Sequence, residues 1–199
     1  MSSSLGPWAQ LAVEAAVELF RPAEFRWWVT GGHALELHVG RSWRLHDDTD
    51  VSFLRADAPA VLELLVGWDI QVAAAGVLSP WNGRPLEALR HENNLWARPA
   101  PDAPWALDMT ISDGDEDRWI YRRNRAIARA WDQAVLLEEA ARVPYLAPEL
   151  QLLFKSVNVR SKDQLDAGEV IPSLPPDRAA FLHDALPSGH EWRQLARRS

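Results

Sequence analysis

The chain has 199 residues, 47% of them hydrophobic and 25% charged, with a formal net charge of -7 and no cysteine. A length near 200 holds one core with a small appendage, the composition is that of a folded globular protein, and without cysteine there are no disulfides, thiolate zinc sites or cysteine nucleophiles. The negative charge works against binding a phosphate backbone, no apolar run nears the roughly 20 residues that span a bilayer, and no leader pattern opens the chain; the expectation is a cytoplasmic protein with a small-molecule partner and no membrane association.

In chain order, apolar Leu11, Ala12, Ala15, Ala16, Leu19 and Phe20 recur at helical spacing and predict a helix over 5–20, ended by Pro22. A short aromatic and β-branched run predicts a strand over 25–30; Gly31 and Gly32 break it, and a helical pattern resumes over 33–39. Over 48–55 the residues alternate, with Asp48, Asp50 and Ser52 on one face and Thr49, Val51 and Phe53 on the other, as in a half-buried strand. A helix over 59–66 and strands over 69–74 and 94–98 follow, then a turn-rich connection over 99–104. At 105–112 the alternation returns, Leu107, Met109 and Ile111 opposing Asp108 and Thr110. An acidic loop over 113–117 precedes expected strands at 119–123 and 135–137. Beyond Pro144 the texture becomes helical: Pro148 suits a first helical turn ahead of Leu150, Leu152, Leu153 and Phe154, and short helices are expected over 162–170, 177–185 and 190–196. The fold class is thus α+β, a mixed sheet with flanking helices over 1–143 and a helical subdomain over 144–199. The eleven tryptophans read mainly as packing residues.

Aspartate is depleted from strands, yet two predicted strands each present aspartate opposite an apolar face. Asp48 and Asp50 point the same way and repel each other unless a cation lies between them. Magnesium fits, since it takes oxygen ligands and completes its shell with phosphate oxygens and water. A strand delivering Gly31 and Gly32 into a helix start allows backbone amides to approach phosphate closely. His46 reads as a hydrogen-bond partner beside the acidic strand rather than a metal ligand, because no cysteine or partner histidine completes a zinc set.

Taken together, Gly31-Gly32, the stretch Arg44-x-His46-x-Asp48-x-Asp50, Asp108, Pro148-Glu149, Lys155, and Lys162-Asp163 with Asp166 resemble the nucleotidyltransferases that inactivate aminoglycosides and lincosamides. The resemblance implies a DNA polymerase β-like core and Mg2+-dependent transfer of a nucleoside monophosphate, usually AMP from ATP or another nucleoside triphosphate, to a small hydroxylated acceptor with release of pyrophosphate. It implies Asp48, Asp50 and Asp108 as catalytic metal ligands, Asp108 also as a candidate proton acceptor. Gly31, Gly32, Arg44, His46, Lys155 and Lys162 fall to the nucleotide. His33 departs from the tryptophan that several resistance enzymes carry after the glycine pair. Lys155 reads equally as a charge on the triphosphate or as a snorkelling surface lysine. Asp163 and Asp166 read as a helix-surface ion-pair cluster worth roughly tenths of a kcal/mol. Two alternatives stay open: transfer to a tRNA or protein, for which Arg122, Arg123 and Arg125 supply the one compact basic run, and a catalytically inactive nucleotide-binding module.

Overall fold

A computed structural model describes residues 5–197. Helix α1 (Val13–Phe20) buries Ala16, Val17 and Phe20. It begins later than its apolar pattern predicts, because the preceding backbone is engaged elsewhere: the amides of Ala9 and Leu11 donate to the carbonyls of Trp105 and Ala106. Strand β1 (Trp27–Val29) leads into α2 (Gly31–Val39), which closes on Gly40 in the left-handed conformation. Next come β2 (Asp50–Leu54), α3 (Ala58–Leu64), β3 (Asp69–Ala74), β4 (Val77–Pro80), β5 (Asn94–Arg98), β6 (Leu107–Gly114), β7 (Arg118–Ile120), β8 (Ala128–Ala130), α4 (Trp131–Ala134), β9 (Val135–Glu138) and β10 (Val143–Leu146). Four helices finish the chain: α5 (Pro148–Lys155), α6 (Ser161–Val170), α7 (Pro176–Ala185) and α8 (Trp192–Ala196).

The main path of the sheet runs β4-β3-β5-β6-β2-β1-β10-β9, with β7 and β8 extending from β6. The sheet is mixed: β2 with β6 and β1 with β10 are parallel, the other pairs antiparallel. The expected α+β architecture is therefore present. Four elements differ from the sequence expectation. Strands β4 and β8 are short and lack a buried face, and α4 is a single turn, so none carries a periodic signal. Strand β10 crosses the change of texture at residue 144, and its Val143, Tyr145 and Leu146 are buried beside β1. The expected acidic loop starts later than 113, since Asp113 and Gly114 still pair with Ile120 and Trp119.

Alternation decides what each face of the sheet does. Val51, Phe53, Leu107, Met109 and Ile111 join Ala16, Phe20 and Val61 in one core. Trp28, Leu146, Leu150, Leu152 and Leu153 join residues of α6, α7 and α8 in another on the opposite side. Fully buried Trp28, Trp105, Trp119 and Trp192 bear out the packing role expected of the tryptophans. Asp50 and Ser52 on β2, and Asp108, Thr110 and Ser112 on β6, face away from the first core, where α5 and α6 leave a cleft over the sheet. Among the described residues, no helix is long and apolar enough to cross a membrane.

Candidate active site

Strands β2 and β6 run parallel with Asp50 opposite Asp108, and Asp48 lies just before β2. One carboxylate oxygen from each lies within 4.8 Å of the others. Neighbouring ammonium groups are engaged elsewhere, Lys155 by Asp163 and Asp166 and Lys162 by Asp47. The electrostatic consequence falls on Asp50 and Asp108. Burial, and then the charges of Asp108 and Asp48, push Asp50 well above the usual carboxylate range. Burial raises Asp108 to about 6, against a hydrogen bond from Asn94 and with the charge of Asp48 adding to the rise. Asn94 Nδ2 donates to Asp108 Oδ1 at 2.8 Å and fixes that carboxylate. Oxygen donors crowded together in this way are stabilised by a hard divalent cation, and the set fits Mg2+.

The glycine pair makes room for these groups. Gly31 has φ +70, and a β-carbon there would overlap the carboxylate of Asp50; a β-carbon on Gly32 would overlap Arg44 and His46. The Gly31 amide differs from the expectation of a phosphate donor, because it donates to Gln151 Oε1 at 2.9 Å, which also accepts from Thr30 Oγ1 at 2.6 Å. Gln151 of α5 thereby caps α2 and locks the helical tail onto the sheet. Gly31→Ala is expected to cost roughly 1–3 kcal/mol of stability through backbone strain and to displace Asp50. Gly40→Ala, also at positive φ but with open space around it, should keep its Mg2+ response. Urea denaturation with and without Mg2+ checks both.

Across a cleft of about 440 Å3, the helical wall presents Lys155, Arg160, Lys162 and Asp163. Here the structure removes one of two open readings and overturns one expectation. Lys155 does not snorkel: its side chain is 7% exposed, with Nζ 3.0 Å from Asp163 Oδ1 and 2.9 Å from Asp166 Oδ2. Asp163 and Asp166 are not a surface cluster either, being 2% and 0% exposed. Arg44 donates to both oxygens of Asp166, Nε at 2.7 Å and Nη2 at 2.9 Å, and Trp43 Nε1 adds a third hydrogen bond at 3.0 Å. Arg160 grips Asp163 through its backbone amide and guanidinium. The sequence separation between Arg44 and Asp166 hid this network. Lys162 is more open, its ammonium 3.2 Å from the exposed Asp47.

His46 lies at the cleft, 6% exposed, with Nε2 3.0 Å from Glu36 Oε1. The expectation that it lacks a partner histidine is also corrected: the His33 ring packs on it with centroids 3.9 Å apart. Burial, followed by the neighbouring His46, depresses His33 to about 4. Arg122 and Arg123 line the far end of the cleft, and both guanidiniums lie over Phe154, whereas Arg125 is exposed near Asp113. Sequence reasoning put Ser52 and Thr110 on the aspartate faces without assigning them to the site and did not single out Ser112; all three line it through the same alternation that places the aspartates. It also missed Gln151, Asn94 and Arg160, whose roles depend on tertiary neighbours and leave no periodic signal.

Residues 12–77 match the family model described as aminoglycoside-2''-adenylyltransferase, a span that includes the glycine pair, Asp48 and Asp50. Comparison with curated protein sequences gives no match. Among solved structures, the chain is similar to the lincosamide antibiotic adenylyltransferase LnuA with lincomycin bound, at 17% identity and a TM-score of 0.55, over 81% of this chain and 98% of that one. It is similar also to ANT(2'')-Ia in complex with adenylyl-2''-tobramycin, at 17% identity and a TM-score of 0.55, over 94% and 95% of the two chains. A solution structure of ANT(2'')-Ia, described as revealing substrate-regulated conformation dynamics, aligns at 16% identity and a TM-score of 0.54, over 87% and 88%. The fold is that of the polymerase β-like nucleotidyltransferases. The chain resembles the aminoglycoside and lincosamide nucleotidyltransferases, and the comparisons support an enzyme of the adenylyltransferase type.

Proposed function

We propose that this chain transfers a nucleoside monophosphate, AMP from ATP as the leading case, to a hydroxyl of a small-molecule acceptor, releasing pyrophosphate. The observation that carries the reading is the register of β2 and β6, which sets Asp50 beside Asp108 with Asp48 close by, facing a cationic wall. Asp48, Asp50 and Asp108 would hold Mg2+, which when bound supplies charge neutralisation for the triphosphate. The acceptor oxygen forms a bond to the α-phosphorus as the bond from that phosphorus to the bridging oxygen breaks. The electron pair leaves with pyrophosphate, and the acceptor proton passes to the Asp108 carboxylate, oriented by Asn94.

The chain's own groups divide the remaining work. Lys162 exchanges an exposed pairing with Asp47 for a phosphate oxygen at little cost. Lys155 is fixed by two carboxylates and contributes its charge from a set position. Arg44 and His46 shape the cleft beside Gly31 and Gly32 rather than grasp the nucleotide directly, because Arg44 is committed to Asp166. Arg122 and Arg123 extend the basic lining toward the far end. A small acceptor is supported by what the similar structures hold, lincomycin and an adenylylated tobramycin, and by the overall charge of -7.

The test is equilibrium binding of ATP, GTP, CTP and UTP with Mg2+, then incubation of the purified chain with the tightest one, labelled at the α-phosphate, in cell extract. Tight Mg2+-dependent binding and label in the small-metabolite fraction are expected. Failure of all four to bind would overturn the nucleotidyltransferase reading. Label confined to RNA or protein would overturn the acceptor.

A further inference from the structure

We infer that His33, Glu36 and His46 form a second cation site, distinct from the aspartate cluster and suited to a divalent transition ion of the Zn2+ class. His33 and Glu36 stand three residues apart on α2 and so share a helix face. After Gly40 the chain turns back and sets His46 against that face. One donor atom from each residue lies within 4.8 Å of the others, with His46 Nε2 3.0 Å from Glu36 Oε1 and His33 Nδ1 4.0 Å from Glu36 Oε2. Ligands about 2.0–2.2 Å from a tetrahedral Zn2+ lie about 3.3–3.5 Å apart, so small torsional adjustments of the three side chains gather them.

A second observation points to an occupant. His46 Nε2 is buried and, despite its closeness to Glu36, makes no directed hydrogen bond. A buried ring nitrogen without an aligned partner is destabilising, and a cation between it and the carboxylate would engage both donors. Glu36 is already oriented, since its Oε1 accepts the Trp43 amide at 3.1 Å, the kind of outer contact that fixes a metal-binding carboxylate. Two imidazoles and one carboxylate with an open fourth position make up a nitrogen-rich set that favours zinc, whereas the three aspartates offer only oxygen. A bound ion would clasp the connection between α2 and β2, which carries Asp48, to α2 itself. The inference does not depend on the reaction proposed above.

The test is titration of the intact chain with Zn2+ in excess Mg2+, which occupies the carboxylate cluster, followed by Co2+ as a visible probe. One equivalent of Zn2+ per chain, a rise in Tm, and a tetrahedral Co2+ absorption band are expected. His33→Phe, which keeps an aromatic ring, and Glu36→Gln, which keeps the shape, should each weaken Zn2+ binding by about 100-fold or more, above the usual effect of losing an outer contact. Asp50→Asn and His38→Phe should leave it unchanged. Absence of Zn2+ binding in excess Mg2+, or binding that survives His33→Phe and disappears in Asp50→Asn, would overturn the inference. The Co2+ spectrum of the unaltered chain decides the matter even if a variant fails to fold.

Discussion

Asp50→Asn is expected to lower nucleotidyl transfer by about 10³-fold or more while leaving the fold intact, the scale seen when a preorganised electrostatic group is removed from a transferring phosphoryl centre. Asparagine matches aspartate in size and keeps the backbone pairing of β2 with β6, so the loss falls on the charge alone. Stability should move the other way. In metal-free protein Asp50 and Asp108 titrate above their ordinary range, Asp108 near 6. A carboxyl whose folded pKa is raised favours the fold below the unfolded value of about 3.9 and loses that contribution as pH rises through the folded value. Metal-free wild-type protein should therefore lose Tm as pH rises above about 4, the Asp108 share of that loss being complete by about pH 6, and the variant less so. Added Mg2+ should recover the loss at neutral pH in the wild type and hardly affect the variant. Pyrophosphate release and thermal melts with and without Mg2+ measure both effects; a variant within about tenfold of wild-type turnover would remove Asp50 from the chemistry.

Much of the site was legible in the sequence because strand alternation is a local rule. Val51 and Phe53 against Asp50 and Ser52, and Met109 and Ile111 against Asp108 and Thr110, fix which way each side chain points before any tertiary contact is known. Their meeting needed one more step, the parallel register of β2 and β6; the resemblance implied that the three aspartates share a metal but not the pairing that brings them together. The glycine pair was found, but its reason was different: space for Asp50, Arg44 and His46, with the first amide given to Gln151. Groups whose partners come from other elements of the fold were misjudged. Asp166 looked like one member of an exposed helix cluster, because i,i+3 and i,i+4 spacing is all that a sequence displays, while its partners are Trp43, Arg44 and Lys155. His33 is a similar case, since only the fold brings His46 onto the same helix face.

Asp166→Asn is expected to destabilise the chain by about 3–5 kcal/mol, far above the roughly 0–1 kcal/mol of an exposed ion pair, because it strands buried cations. The Arg44 side chain is 11% exposed and that of Lys155 is 7%; Lys155 retains Asp163, but Arg44 loses its carboxylate partner. Arg41→Ala, which removes an exposed pairing with Glu169, provides the contrast and should change stability by no more than about 0.5 kcal/mol. The acid limb supplies a second readout. Burial alone would raise the Asp166 carboxyl, but the Arg44 hydrogen bonds and the Lys155 ammonium outweigh it and hold the group below its ordinary value. A depressed carboxyl contributes stability above the unfolded value of about 3.9 that is lost as pH falls through the folded value. The wild type should therefore lose stability below about pH 4, and the variant, lacking that titration, should show a flatter acid limb. Urea denaturation across pH 3–7 reads both, with an unchanged m-value marking an effect on stability alone. Because Arg44 and Lys155 line the cleft proposed to take the nucleotide, the variant should also bind triphosphate more weakly at temperatures where it remains folded, which would tie the buried network to the proposed function.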